Sequence, residues 1–267
     1  MRADPAGGAW AEKGGRVRIS ANLGFLFTDR PLPEAIHAAA AAGFDAVECH
    51  FPYDVPASAV ARALRESGLP MLSLNTRPGD GGAFGLLALP ERQAEARAAL
   101  REALDYAAAI QAPMVHAMAG IARGPEAAAC FRRNLLWAAP QAAACGVQLL
   151  IEPINQIDVP GYFLHSTAQA LALLESLNAP ALRLMFDLYH VARTGEDARA
   201  LVPRVLPYLG HVQIARVPDR TEPEADDPGV KAVLGALLAG GYRGAVGAEY
   251  RPARPGDFGW LPALRAL

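Results

Sequence analysis

Four residues with oxygen-bearing side chains stand at the ends of successive β-rich segments in the second half of the chain. They are Glu152, Asp187, Gln213 and Glu249, at intervals of 35, 26 and 36 residues. A (β/α)8 barrel places eight strand-plus-helix units in roughly 250 residues, so each interval is about one unit. Because the carboxyl ends of barrel strands meet at one mouth, we predict that these four side chains converge.

Three carboxylates in one place repel one another and raise one another's pKa, a conflict that a bound divalent cation removes. A set of three carboxylates and one amide suits Mg²⁺ or Mn²⁺ better than zinc, which usually takes nitrogen or sulfur. Glu152, Asp187, Gln213 and Glu249 are therefore the predicted metal ligands. Ion pairs with nearby arginines are the competing interpretation for any single carboxylate, but they do not explain four ligands at successive strand ends.

Three histidines belong to the same strands or to the loops above them. His190 lies three residues after Asp187, in the loop over that strand end, and His116 lies in the fourth β-rich segment. Both are candidates to bind substrate, with a supporting role for His190 and a packed core position for His116 as the alternatives. His211 precedes Gln213 by two residues, so it lies deeper on the same face of its strand and is expected to be structural. His50 and His165 stay undecided.

The elements that must position these residues alternate between short β-rich runs and longer runs rich in alanine and leucine, from Val17 to the end. Eight strands are predicted, which favours a single-domain TIM barrel over an open doubly wound sheet. The latter usually shows a glycine-rich turn after its first strand when it binds a dinucleotide, and Asn22-Leu23-Gly24-Phe25 has no such pattern. The predicted strands are Val17–Asn22, Ala46–His50, Met71–Asn75, Met114–Met118, Gln148–Glu152, Arg183–Asp187, His211–Ile214 and Ala245–Glu249.

Local signals mark where the helices begin and end. Ser166 followed by Gln169 is a capping-box pattern, and the helix over Pro125–Cys145 is expected to kink or break at Pro140. The last helix has only Trp260–Leu267 available and must be short. Glycines are predicted to end the helices ahead of strands two, three and five, at Gly43, Gly68 and Gly146.

Composition narrows the class of protein. The chain has 267 residues, 52% of them hydrophobic and 19% charged, which is enough for one large barrel over 17–267. Residues 1–16 have no apolar core of a signal peptide and are expected to be a flexible leader. A formal net charge of −2 lacks the basic footprint of a nucleic-acid binder, and no apolar run approaches the roughly 18 residues of a membrane span. Three cysteines without metal-knuckle spacing indicate a reducing, cytoplasmic compartment.

These segments together resemble the hydroxypyruvate isomerase family, within the wider xylose isomerase-like group of sugar isomerases and epimerases. The resemblance implies that Glu152, Asp187, Gln213 and Glu249 hold the metal and that the two glutamates are the acid/base pair. The amide at 213 favours the isomerase branch, since the related epimerases usually have histidine there. The matching segments are Ala21–Asp29, Ala41–Glu48, Phe51–Asp54, Pro78–Asp80, Ala88–Arg92, His116–Gly120, Leu149–Asn155, Pro160–Leu171, Phe186–His190, Gly210–Ala215 and Gly247–Pro252.

Three departures from the family pattern lie on loops over the predicted mouth. The loop Thr221–Val230 has been rebuilt, Arg251 replaces a lysine of many relatives, and the glycine-rich segment Gly79–Gly85 is shorter than usual. We therefore expect this chain to share the reaction type of the family more surely than its substrate.

The predicted reaction is the isomerisation of hydroxypyruvate to tartronate semialdehyde through an enediolate, with one of Glu152 and Glu249 removing the proton from carbon. The substrate carboxylate needs a cationic partner, for which Arg220, Arg216 and Arg251 are the candidates. No organic cofactor is expected. Isomerisation of 2-oxo-tetronate and 3-epimerisation of a ketose are the alternatives that use the same site. An apurinic-site endonuclease and a non-catalytic ligand-binding barrel are less favoured. Dimers or tetramers are common in the wider group, so a homo-oligomer is expected by analogy.

Overall fold

The computed structural model describes residues 16–224 and 226–267, and in them eight parallel strands close into a barrel in chain order. Strand β1 pairs with both β2 and β8, so the first and last strands are neighbours. The strands are β1 Ile19–Asn22, β2 Ala46–Cys49, β3 Met71–Asn75, β4 Met114–His116, β5 Gln148–Ile151, β6 Leu182–Asp187, β7 Leu209–Ile214 and β8 Val246–Ala248. The predicted TIM barrel and all eight of its strands are confirmed.

Helices connect the strands and cover the outside of the barrel. Within the described residues they are α1 Leu32–Ala41, α2 Ala57–Ser67, α3 Gln93–Ile110, α4 Gly124–Ala144, α5 Thr167–Leu177, α6 Leu188–Arg193, α7 Ala198–Val205, α8 Pro228–Ala239 and α9 Leu261–Arg265.

The helix boundaries follow the local signals of the sequence, with one exception. Ser166 caps α5 by accepting a hydrogen bond from the backbone N–H of Gln169 at 3.2 Å. Gly68 ends α2 in the left-handed conformation with φ of 72°. Helix α4, however, continues through Pro140 without a break. The predicted break at Pro140 is therefore wrong; Ala138, Ala139 and Ala142 are buried on the two sides of the proline.

The interior of the barrel is divided along its axis into an apolar layer and a polar layer. Near the amino ends of the strands, one residue from each of several strands forms a small apolar cluster. Since side chains two residues apart on a strand share a face, the next inward positions lie one layer closer to the carboxyl ends, and four of these six positions carry polar residues. The apolar cluster consists of Ala46, Leu72, Met114, Leu150, Met185 and Ala245; the inward residues above four of them are Glu48, His116, Glu152 and Asp187.

The predicted leader lies outside the described residues apart from Arg16, whose guanidinium pairs with Asp45 at 2.7 Å. In the described part of the chain, no helix combines the length and hydropathy needed to cross a membrane.

Gly247 in β8 leaves the space that the polar layer needs. A Cβ atom at this position would lie 2.2 Å from Oε1 of Glu48 and 2.9 Å from Cγ of Gln213. Both neighbours are buried side chains held by their own hydrogen bonds, so they have little freedom to move away.

We therefore expect Gly247→Ala to destabilise the fold by about 1–3 kcal/mol, the usual effect of overpacking a core. Gly235→Ala is the matched control, because Gly235 lies in α8 with no atom within 4 Å of the added Cβ. That change should leave stability equal or higher, since alanine is the better helix former. Thermal unfolding of the two variants measures the difference, and equal midpoints would contradict this view of the barrel interior.

Candidate active site

A cavity of about 690 Å³ opens at the carboxyl ends of the strands. Its walls include most of the residues predicted to do chemistry, together with aromatic side chains from the loops above them. A second cavity, of about 450 Å³, lies at the amino ends of the strands and contains none of the predicted site residues. The residues that line the first cavity include Phe25, His50, His116, Glu152, Tyr189, His190, Arg220, Glu249 and Arg251.

Glu152, Asp187 and His190 form the tightest group of possible metal ligands among the described residues, with one ligand atom of each within 4.8 Å of the others. Nε2 of His190 lies 3.6 Å from a carboxylate oxygen of each partner. The local sequence explains this placement. Asp187 ends β6 and caps α6 by accepting the N–H of Tyr189 at 2.8 Å, so the first turn of α6 carries His190 back over the strand end.

The orientation of His190 is fixed from behind by Asn155. The side-chain oxygen of Asn155 accepts the N–H groups of Ile157 and Asp158, at 3.1 and 2.9 Å. Its amide nitrogen therefore faces Nδ1 of His190, at 2.7 Å. A neutral imidazole that accepts at Nδ1 carries its proton on Nε2. His190 thus presents a hydrogen-bond donor to the two carboxylates, which is a different role from that of a metal ligand.

Glu249 lies beside this group, with both of its oxygens occupied. Oε1 accepts hydrogen bonds from Asn22 and His50, each at 2.9 Å. Oε2 accepts from Arg220 at 2.6 Å, and the same guanidinium nitrogen lies 3.5 Å from Asp187. Among the described residues, Glu249 is therefore held by a guanidinium, an imidazole and an amide, and it is not part of the 4.8 Å group.

Gln213 is the neighbour of Asp187 on the adjacent strand, with the two residues in register between β6 and β7. Its amide nitrogen donates to Glu48 at 2.8 Å. Its oxygen is buried and has no hydrogen-bond partner among the described residues, and the same holds for Oε1 of Glu152 and Nε2 of His116. Buried acceptors without partners are costly, and two such oxygens beside Asp187 fit a site that takes a hard divalent cation.

The electrostatics of the site follow from three buried carboxylates around one guanidinium. Burial and the charges of Glu249 and Asp187 raise the pKa of Glu152 well above its usual value. Burial likewise raises the pKa of Asp187 to about 7, despite the opposing charge of Arg220. For Glu249, the charge of Arg220 and the hydrogen bond from His50 outweigh burial and lower the pKa to about 2. Fully ionised, the three carboxylates would carry more negative charge than Arg220 alone neutralises, which is why Glu152 and Asp187 retain their protons more readily.

Two of the histidines that line the cavity, His116 and His190, are neutral at physiological pH. Burial lowers the pKa of His116 to about 4, and burial together with Arg220 lowers that of His190 to about 3. His116 is 2% exposed, and its Nδ1 lies 3.5 Å from Glu152. Both rings therefore serve as neutral hydrogen-bonding groups at the wall of the cavity, where the sequence placed them.

The three arginines predicted to bind a substrate carboxylate have different positions. Arg220 lies inside the cavity, but its guanidinium already forms ion pairs with Glu249 and Asp187. Arg251 lines the mouth with its guanidinium carbon 5.5 Å from the ring centroid of Phe25. The side chain of Arg216 points away to Asp219 and Glu224, at 3.5 and 3.3 Å, outside the cavity. The prediction that Arg216 binds substrate therefore gains no support from its position, because the side chain pairs with Asp219 and Glu224 after β7.

Two polar residues of the first two strands, Asn22 and Glu48, were missed from the sequence, and the role of His50 was left undecided. Asn22 ends β1, Glu48 lies in β2, and His50 directly follows β2. Asn22 and His50 hold Glu249, while Glu48 holds Gln213. The signal that identified the later residues, a polar side chain at a strand end, is present here too.

Comparison with known proteins agrees with this fold. Residues 36–267 match the family described as Xylose isomerase-like TIM barrel. The 2-oxo-tetronate isomerase of Cupriavidus necator is 38% identical over 91% of this chain and 97% of its own length. A Homo sapiens protein provisionally named hydroxypyruvate isomerase is 41% identical over 88% of this chain and 90% of its own length. A crystal structure from Brucella melitensis named AP endonuclease, family 2, superposes with a TM-score of 0.88 at 36% identity, covering 93% of this chain and 99% of that one.

The barrel, the mouth lined with carboxylates and these matches define a class: the chain belongs to the xylose isomerase-like TIM barrel family. Within it, the resemblance to the hydroxypyruvate isomerase group is confirmed, and the protein is an isomerase of that type. The predictions that the chain forms one TIM barrel and that it is an isomerase are both confirmed.

The raised pKa values generate a prediction for the metal-free protein. Asp187 and Glu152 keep their protons in the folded state at pH values where the unfolded chain has released them. The folded state then binds more protons, so this contribution to stability is complete below the unfolded pKa and is lost as the pH rises toward about 7. We expect the unfolding temperature in chelator to fall by several degrees between about pH 4 and 7.

Asp187→Asn should flatten this fall, because the neutral amide has no proton to release. Asp54→Asn is the control at a side chain that is 94% exposed, and it should leave the slope unchanged. Added Mn²⁺ should raise the unfolding temperature more at pH 7.5 than at pH 5, since metal binding releases protons. An unchanged slope in Asp187→Asn would contradict the assignment.

Proposed function

We propose that this protein is a divalent-cation-dependent isomerase that moves the carbonyl group of a small hydroxy-carbonyl acid between neighbouring carbons. Hydroxypyruvate, converted to tartronate semialdehyde, is the first candidate substrate. The observation that carries the proposal is the set of buried carboxylates at the barrel mouth, beside the buried amide oxygen of Gln213, which has no hydrogen-bond partner in the described part of the chain. A single guanidinium does not balance that charge, and a divalent cation does.

The cation would be held by Glu152, Asp187, Gln213 and Glu249, and Mg²⁺ or Mn²⁺ suits this oxygen set. When bound, such a cation stabilises negative charge that develops on the substrate oxygens as a C–H proton leaves. Family resemblance supports Gln213 and Glu249 as ligands, and the unpartnered oxygens of Gln213 and Glu152 support the same set. No organic cofactor is needed for this reaction.

The residues of the chain supply the proton transfers. Glu152 and Glu249 lie on the β5 and β8 sides of the cavity. One of them, as the carboxylate, removes the proton from carbon, and the other, as the carboxylic acid, gives a proton to the neighbouring carbon. A proton passes from the substrate hydroxyl oxygen to the original carbonyl oxygen in the course of the reaction, so no proton is gained or lost overall. His190 offers its Nε2 proton to the oxygens in the cavity, because Asn155 occupies its other nitrogen. His116 is a second neutral group that can share a hydrogen bond with a substrate oxygen.

Arg251 is the best candidate to bind the substrate carboxylate. Arg251 lines the mouth and forms no ion pair with the described residues. Arg220, in contrast, forms an ion pair with Glu249. Phe25 lies beneath both guanidinium groups, at 5.1 Å from Arg220 and 5.5 Å from Arg251. An aromatic face in this position orients a cation without competing for its hydrogen bonds.

The size of the cavity favours 2-oxo-tetronate as a second candidate substrate. A volume of about 690 Å³ has room for an acid longer than hydroxypyruvate. Pro218, Asp219 and Arg220, the residues directly before the rebuilt loop Thr221–Val230, line this cavity. The Cupriavidus necator relative is named for that substrate. Cleavage of DNA is not supported, since the chain has a formal net charge of −2 and lacks the basic footprint that a duplex requires. A cytoplasmic location and a homo-oligomeric state stay predictions from the sequence.

The direct test is to remove metal with chelator, add back Mg²⁺ or Mn²⁺, and follow both acids by product analysis. We expect activity only with metal, and Glu249→Gln should lower kcat by about 10²-fold or more, since it removes an acid/base group. Carbonyl migration separates this activity from epimerisation, which inverts one carbon. Turnover without metal, or near-normal kcat in Glu249→Gln, would contradict the mechanism.

The carboxylate site is tested with a matched pair of arginines. Arg251→Gln should raise KM for hydroxypyruvate about tenfold or more with a smaller change in kcat, because it removes binding shared by ground and transition states. Arg216→Gln is the control, because Arg216 also closely follows a proposed metal ligand in sequence but lies outside the cavity. This change should alter neither KM nor kcat by more than about twofold. Equal effects of the two changes would remove Arg251 from the substrate site.

A further inference from the structure

Glu48 is a buried carboxylate in the same polar layer of the barrel as the proposed metal ligands Glu152 and Asp187. It lies in β2 and is 0% exposed. Its Oε1 accepts hydrogen bonds from the hydroxyl of Ser20 and from Nε2 of His211, the latter at 3.0 Å. Its Oε2 accepts the amide nitrogen of Gln213 at 2.8 Å. One side chain thus joins strands β1, β2 and β7 inside the barrel.

A carboxylate distinguishes the two ends of a side-chain amide, because it accepts hydrogen bonds and repels another oxygen. With the nitrogen of Gln213 held by Glu48, the oxygen of Gln213 must face the other way. That oxygen is buried and without a partner among the described residues, next to Asp187 on the neighbouring strand. Turning the amide over would place its oxygen against the Glu48 carboxylate and its nitrogen among cation ligands.

The space around this contact is fixed as well. Gly247 of β8 is the residue whose missing side chain leaves room for both Glu48 and Gln213. His211 holds the opposite oxygen of Glu48, so the carboxylate is fixed from two sides. These contacts give the amide of Gln213 one stable orientation.

We propose that Glu48 is a positioning residue that turns the oxygen of Gln213 toward the divalent cation and so makes this amide a metal ligand. The inference rests on the proposed function, since it takes the cation site as given. Glu48 itself does not touch the cation or the substrate. Its effect passes through the hydrogen bond to Gln213, so its loss should first be seen in metal affinity.

The test uses Mn²⁺ binding to the chelator-treated full-length protein, measured by titration calorimetry. Glu48→Gln keeps the shape of the side chain but removes the preference for one amide orientation. We expect its Kd for Mn²⁺ to rise by about 10–100-fold, the usual effect of removing a group that orients a ligand. Ser20→Ala is the matched control, because it removes a hydrogen bond to the same carboxylate without touching Gln213, and its Kd should stay within about threefold of wild type.

The exchange variant Glu48→Gln/Gln213→Glu separates orientation from packing. It keeps the charge and the atoms of the pair, and a carboxylate at 213 has two equivalent oxygens that need no orienting. We expect this variant to bind Mn²⁺ within about threefold of wild type. A merely structural role for Glu48 would not be rescued in this way, and if the single variant does not fold, the exchange variant and Ser20→Ala decide.

The outcomes separate the two proposals. Failure of the wild-type protein to bind Mn²⁺ would overturn the proposed function and the role of Glu48 together. Wild-type binding with an unchanged Kd in Glu48→Gln would overturn the role of Glu48 alone, as would equal losses in Glu48→Gln and Ser20→Ala. Weakened binding that the exchange variant restores would support the positioning role.

Discussion

The need to keep several carboxylates close together in a buried place governs this structure. Glu48, Glu152, Asp187 and Glu249 are all at most 7% exposed, and each is taken out of water at a considerable free-energy penalty unless it finds a partner. Arg220 supplies one positive charge, held over the rings of Phe25 and Tyr189. Histidine and amide side chains supply hydrogen bonds to Glu48 and Glu249. The remaining imbalance is what makes the barrel mouth suited to a cation and to proton transfer.

The barrel meets this requirement by layering. Side chains of the lower layer are apolar and fill the barrel near the amino ends of its strands, and the polar side chains lie two residues further along the same strands. Each polar group is then backed by another: Asn155 behind His190, and Glu48 behind Gln213. Such backing fixes which atom faces the cavity, which matters because an amide or an imidazole presents a donor on one side and an acceptor on the other.

Much of this arrangement follows from the sequence. The alternation of β-rich and alanine-rich runs predicted eight strands, and polar residues at strand ends predicted Glu152, Asp187, Gln213 and Glu249. The roles of Asn22, Glu48 and His50 were not predicted, because each contacts a partner 165 to 227 residues away across the closed barrel. The side-chain direction of Arg216 and the continuity of α4 at Pro140 also depend on tertiary packing, which local patterns do not contain.

The contacts of Glu249 have a consequence for how the molecule matures. This residue follows the last strand, and the groups that hold its Oε1 come from β1 and from the residue after β2. The seam where the barrel shuts is therefore also where its chemistry is assembled. During synthesis, Asn22 and His50 are made long before Glu249, so they can form these hydrogen bonds only when nearly the whole chain is present. A folding intermediate in which β1 and β8 are not yet paired would lack the contacts of Glu249 with Asn22 and His50. We therefore expect activity to appear only when these two strands have paired.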